Sequence, residues 1–136
     1  MQLAANNYEF KLNSKSYIQT LYFNEKLYFA QVSSNDVIGK WKNTKTLMTV
    51  EVYKTNNTYS AKIINAIEKS QIGKVFIWNL VFDKAKSEWN GGEVQLLNMA
   101  HLASCFIKLK DIETANITGY HGLLLFGSTE KYYLEK

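Results

Sequence analysis

The sequence contains no arginine and no proline, and its only cysteine is Cys105. Because all sixteen basic residues are lysines, the net charge of +4 consists of compact ammonium groups and lacks the planar forks that grip phosphates bidentately. Lys40, Lys54, Lys74 and Lys110 lie far apart, and no run of about five or six like charges forms a basic patch. No nucleic-acid partner is expected. A lone cysteine excludes an intramolecular disulfide and says nothing for or against an oxidising compartment. No window approaches the roughly 18 apolar residues of a membrane-spanning helix, so no membrane span is expected. The start, MQLAANNYEF, lacks a basic end followed by an apolar stretch, although QLAAN is compatible with the remainder of a small-residue cleavage site.

What the sequence has in quantity is aromatic side chains, 14% of its residues with nine tyrosines, which tilts it toward strands. A chain of 136 residues is the size of one domain and buries roughly 70% of the surface its unfolded form exposes. From residue 46 it reads as short strands divided by polar turns. TLMTVEVYK (46–54) alternates Met48, Val50 and Val52 against Thr49 and Glu51, and TYSAKII (58–64) alternates Tyr59, Ala61 and Ile63 against Ser60 and Lys62. The turn residues TNN (55–57) make the two a hairpin. KVFIWNLVF (74–82) is apolar on both faces, so one face must be covered or line an interior. EWNGGEVQLL (88–97) carries Gly91 and Gly92 inside a strand pattern, the mark of a bulge or a sharp bend at the corner of a closed sheet. HLASCFIKLK (101–110), ETANITGYHG (113–122) and LLLFGSTEKYYLE (123–135) complete about seven strands at a spacing of about 8 to 12 residues, which suggests an antiparallel sandwich or barrel. Earlier, YEFKL (8–12) alternates cleanly. YIQTLYFNEKLYFAQV (17–32) reads as two strands joined at Asn24 and Glu25, or as one helix striped by Ile18, Leu21, Tyr22, Tyr28, Phe29 and Val32; aromatic content favours strands.

GKW (39–41) then acquires a context. A G-x-W opening the first strand of an antiparallel barrel resembles the signature of the lipocalin and calycin barrels, in which the tryptophan packs across the closed end. The succession IGKWK, VEVYK, YSAKI, EWNGGEV, CFIKL and GYHGLLLFGST is similar to that of a bacterial family of exported domains of unknown function with a lipocalin-like barrel, over residues 38–133. The resemblance implies an all-β, antiparallel lipocalin-like β-barrel of about eight to ten strands. Residues 1–37 would form an N-terminal extension, either extra strands or a helix packed on the barrel, and residues 38–136 the barrel itself. It also implies a secreted or periplasmic protein whose signal peptide, absent from this chain, has been removed. Family members carry an arginine just after the glycine of the last strand, where it can stack on the first-strand tryptophan, and a tryptophan a few residues later; here those places hold Ser128 and Tyr132. Barrel closure therefore falls to Gly39, Trp41 and Tyr132, with Lys131 or Tyr133 as further substitutes for the missing cation-π contact.

Chemistry is sparse. His101 and Cys105 are four residues apart on one strand, about 13 Å, too far to share an ion held at about 2.0 to 2.3 Å from each ligand. His121 sits in the GYHG turn, so no metal site is expected. Cys105 has apolar neighbours, which raise a thiol's pKa and make it inert, and there is no G-x-S-x-G elbow. Glu88 and Glu93, five apart, are expected on opposite strand faces. The glycines fit neither phosphate-binding pattern. No catalytic residue and no cofactor is expected.

An eight-stranded barrel is just wide enough to be filled by its own side chains or to hold one small ligand. Val50, Val52, Tyr59, Ile63, Ile77, Ile107 and Phe126 are the inward candidates, either lining a ligand cavity or filling the barrel. The function expected is non-catalytic binding of a small apolar or amphipathic molecule, fatty-acid or lipid-like, by an exported protein. The alternative is a protein-interaction module, secreted or at the cell surface, with a filled barrel and a contact face made by the aromatics of residues 17–29.

Overall fold

The computed structural model describes residues 20–23, 26–29, 32–95, 102–121 and 128–135. Strands β1 (Thr20–Phe23) and β2 (Lys26–Phe29) pair antiparallel, so of the two readings of this stretch the strand pair is the one that forms. The remaining eight are β3 (Gly39–Asn43), β4 (Met48–Thr55), β5 (Thr58–Asn65), β6 (Val75–Asp83), β7 (Glu88–Gln95), β8 (Leu102–Asp111), β9 (Thr114–Tyr120) and β10 (Ser128–Leu134). They close into one antiparallel barrel in the order β10-β3-β4-β5-β6-β7-β8-β9, within the range of strands expected. Among the described residues, regular helical structure is confined to one 3-10 turn, Lys69–Gln71.

Period-two alternation explains the closure. On β5 the buried residues are Tyr59, Ala61 and Ile63, and on β8 they are Ala103, Cys105, Ile107 and Leu109, with half-buried or exposed residues between them. Asn56 takes a left-handed φ of 56° in the β4–β5 turn, a backbone state that asparagine tolerates.

Two irregularities bend the sheet where the glycine pair sits. Gly91 has a φ of 73°, and the β7–β8 register shifts between Trp89 and Gly92. Across from them Asn79 on β6 also takes a positive φ, 64°, so Ile77 and Leu80, three apart, are both buried. That slip accommodates the run that is apolar on both faces: Phe76, Ile77 and Leu80 are inside, while Val75 and Val81 face out. Gly92 points inward, and a Cβ there would lie 2.6 Å from Leu80 Cδ2 and 2.9 Å from the Trp78 carbonyl oxygen. Leu80 occupies the space a side chain at 92 would need. The bulge also corrects the expectation for Glu88 and Glu93. With Trp89, Gly92 and Val94 all buried, the inserted residue returns both glutamates to the outer face, and strict alternation does not hold across residues 88–93.

One end of the barrel, where β3, β5, β7 and β9 begin, is packed solid. The segment before β3 lies over it, with Val32, Asp36 and Val37 buried. Trp41 donates its indole N–H to the Val37 carbonyl at 2.9 Å, and Trp89 donates its own to the Ser34 carbonyl at 2.9 Å. Both rings are essentially inaccessible. Tyr59 packs edge-on against Trp89 and bonds Asn35 through its hydroxyl, and Phe82 lies 5.0 Å from the Trp89 ring. Trp89 is tied to a residue 55 positions away in sequence, which fixes the plug to the barrel.

Candidate functional site

At the other end the strands leave a cavity of about 160 Å³. Its inner wall is Phe76 from the start of β6, Val94 from the end of β7, Ala103 from the start of β8 and Ile117 from β9. The void exists because small residues meet there. Ala103 and Gly119 stand at inward positions where β5 carries Tyr59 and Ile63, and a Cβ on Gly119 would come 3.3 Å from Val94 Cγ1. The polar part of the lining comes from His121, Ser128, Glu130 and Tyr132.

Tyr132 forms the boundary between filled core and cavity. It is buried, and the Asn43 side chain hydrogen-bonds its hydroxyl. Asn43 is itself held, since its Oδ1 accepts from the backbone N–H groups of Lys45 and Thr46 at 2.9 and 3.1 Å. Burial first, and the nearby Glu130 charge to a lesser degree, push the phenol up to about 12 against the opposing effect of the Asn43 bond. Cys105, at mid-barrel, is also pushed up to about 12, by burial alone. A thiol held protonated to that degree is no nucleophile.

Six of the inward candidates, Val50, Val52, Tyr59, Ile63, Ile77 and Ile107, are buried in the continuous core, and none of them lines the cavity. Phe126 and His101 lie outside the described residues, as do the side chains of residues 17–29. Gly39 and Trp41 are at the closed end; Tyr132 does not join them, because Leu134 is the β10 residue in register with Trp41. The cation-π contacts among the described residues, Lys54 over Tyr59 and Lys62 over Tyr53, involve neither Trp41 nor Lys131. His121 is exposed at the cavity mouth. Sequence reasoning missed Phe76, Val94, Ala103, Ile117, Gly119 and Glu130 as lining residues. The available signal was the run of small inward residues, Ala103, Cys105 and Gly119, on neighbouring strands. It also missed Asn43, whose position at the end of β3 and before Thr44 and Lys45 is that of an Asx turn.

An eight-stranded antiparallel barrel, plugged at one end behind a first-strand tryptophan and open to a small apolar cavity at the other, defines a lipocalin-like protein. Residues 39–133 match the family described as "Uncharacterized protein conserved in bacteria (DUF2147)", and the chain belongs to that family. Among solved structures it is similar to protein HP1028 from the human pathogen Helicobacter pylori, described as belonging to the lipocalin family. The TM-score is 0.62 at 16% sequence identity, over 77% of this chain and 84% of that one, a likeness of fold. No curated protein sequence matches the chain.

Proposed function

We propose that this chain is a non-catalytic binding protein, working outside the cytoplasm, that takes up a small apolar or amphipathic molecule in the open-end cavity. The observation that carries the reading is the cavity itself, about 160 Å³ bounded by Phe76, Val94, Ala103 and Ile117 and set against a continuous buried core among the described residues. An apolar void of about 150 Å³ admits a benzene-sized group, so the body that enters is compact. A fatty-acid or lipid-like ligand would insert only a short end. Enclosed apolar walls with a few polar groups at the rim are the usual composition of a small-molecule site. Export rests on the resemblance to exported domains, and fractionation of the native host tests it: the protein recovered only with the cytosol would remove that part.

The binding reading is tested by titrating a benzene-sized fluorescent probe into the wild-type chain and into Ala103→Leu, whose side chain would occupy much of the void. The variant should keep the wild-type circular dichroism spectrum and bind the probe at least about tenfold more weakly, a difference of about 1.4 kcal/mol. Equal binding by a folded Ala103→Leu would place the probe elsewhere and sink the proposal.

A further inference from the structure

We infer that the molecule this cavity suits carries a positive charge: a compact organic cation, an amine or ammonium on a small apolar body. This rests on the binding reading above and concerns the same cavity. Among the described residues Glu130 is the one carboxylate in the lining, and no lysine lines it. Glu130 precedes Tyr132 by two residues on β10 and so shares its inward face, and its charge acts on the Tyr132 phenol, which puts the carboxylate beside the cavity. Glu130 is exposed and also lines a neighbouring groove with Lys45 and Lys131. Among the described residues the ion pair that forms is Lys62 with Glu51, and no lysine reaches ion-pair distance of Glu130.

A ligand entering therefore meets a carboxylate that no described lysine holds in an ion pair. A cationic head exchanges hydration for a charge-assisted hydrogen bond, whereas an anionic head loses hydration next to a like charge with no lysine of the described lining to replace it. Phe76 and Tyr132 add aromatic surface, which suits an ammonium group further. By the same reasoning a fatty acid is the wrong ligand, because its carboxylate would stand beside Glu130. In a chain of net positive charge, one acidic residue at the rim of an apolar cavity confers selectivity that the overall charge would not.

The test uses the whole chain and three probes that share one benzene ring, namely benzylamine, benzyl alcohol and benzoate, titrated by NMR in low-salt buffer at neutral pH. Benzylamine should bind about tenfold tighter than benzyl alcohol, as a charge-assisted bond at a partly exposed site allows, and benzoate more weakly than either. Glu130→Gln should bring the three within about twofold of one another. If benzyl alcohol binds but benzylamine has no advantage, or if Glu130→Gln keeps that advantage, the charge inference is overturned and the cavity reading stands. Failure of the wild-type chain to bind any of the three overturns both.

Discussion

The two ends of this barrel are built from the same alternating strands and reach opposite outcomes. At the closed end two tryptophans, a tyrosine and the plug around Val37 fill the cross-section, and both indole N–H groups have backbone carbonyl partners. At the open end the inward positions include Ala103, Gly119 and Ser128 beside Phe76, Val94 and Ile117, and a void remains. Barrel geometry is nearly constant along the axis, so side-chain volume decides where the interior is solid. The closed end carries stability; the open end has given some up for space.

That contrast can be broken most directly by truncating one large aromatic at each end. Trp41→Ala should cost about 3 to 5 kcal/mol in denaturant melts, because a fully buried ring is lost and the Val37 carbonyl loses its donor. Phe76→Ala should cost at least about 1 kcal/mol less than Trp41→Ala, since one side of Phe76 already faces the cavity and fewer contacts disappear. A Trp41→Ala cost below about 1 kcal/mol, or equal costs at the two ends, would mean that Trp41 is not what seals the barrel.

A smaller effect comes from adding a methyl group at two inward glycines. Gly92→Ala drives a Cβ into Leu80 and the Trp78 carbonyl, the second of which is backbone and cannot rotate away, so about 1 to 3 kcal/mol should be lost. Gly119→Ala meets Val94 Cγ1 at 3.3 Å and the Ser104 carbonyl oxygen at an ordinary 3.8 Å, so its cost should stay under about 1 kcal/mol. Similar losses in thermal or denaturant melts would argue that the open end is as tightly packed as mid-barrel.

Much of the barrel was legible in the sequence because alternation is a local property. Val50, Val52, Tyr59, Ile63 and Ile107 could be assigned inward from their own neighbours, and Gly91-Gly92 announced a bulge by composition alone. Phase across the bulge was not legible. Whether Glu88 and Glu93 share a face depends on one inserted residue whose place is set by the partner strands. The cavity was less legible still. An inward residue lines a void only if the residues opposite are small, and Val94, Ala103, Ile117 and Gly119 come together through the β7–β8–β9 pairing and not through any sequence spacing. The second sealing tryptophan, Trp89, escaped notice for the same reason, since its partner Ser34 lies 55 residues away.

The smallest effect probes where the dry core stops. Cys105 pairs with Gly92 on β7 and Gly119 on β9, so it lies between the packed region and the cavity. Burial raises its thiol from an ordinary 9.0 to about 12, which means that the native state keeps a proton the unfolded chain gives up. The stability this contributes is complete below pH 9.0 and is lost as pH climbs from there toward about 12. The loss should approach about 1 kcal/mol between pH 9 and 10, because a pKa difference is worth about 1.4 kcal/mol per unit and the unfolded thiol is only partly ionised at the start of that interval. Tyr132, raised from 10.0 to about 12, begins to contribute as pH nears 10, and the comparison with Cys105→Ala removes that shared part. Denaturant melts of the wild-type chain and of Cys105→Ala at pH 8, 9 and 10 measure the difference in slope. A wild-type slope no steeper than that of Cys105→Ala would show that water from the open end already reaches the sulfur, and the border between filled and open barrel would then lie below Cys105.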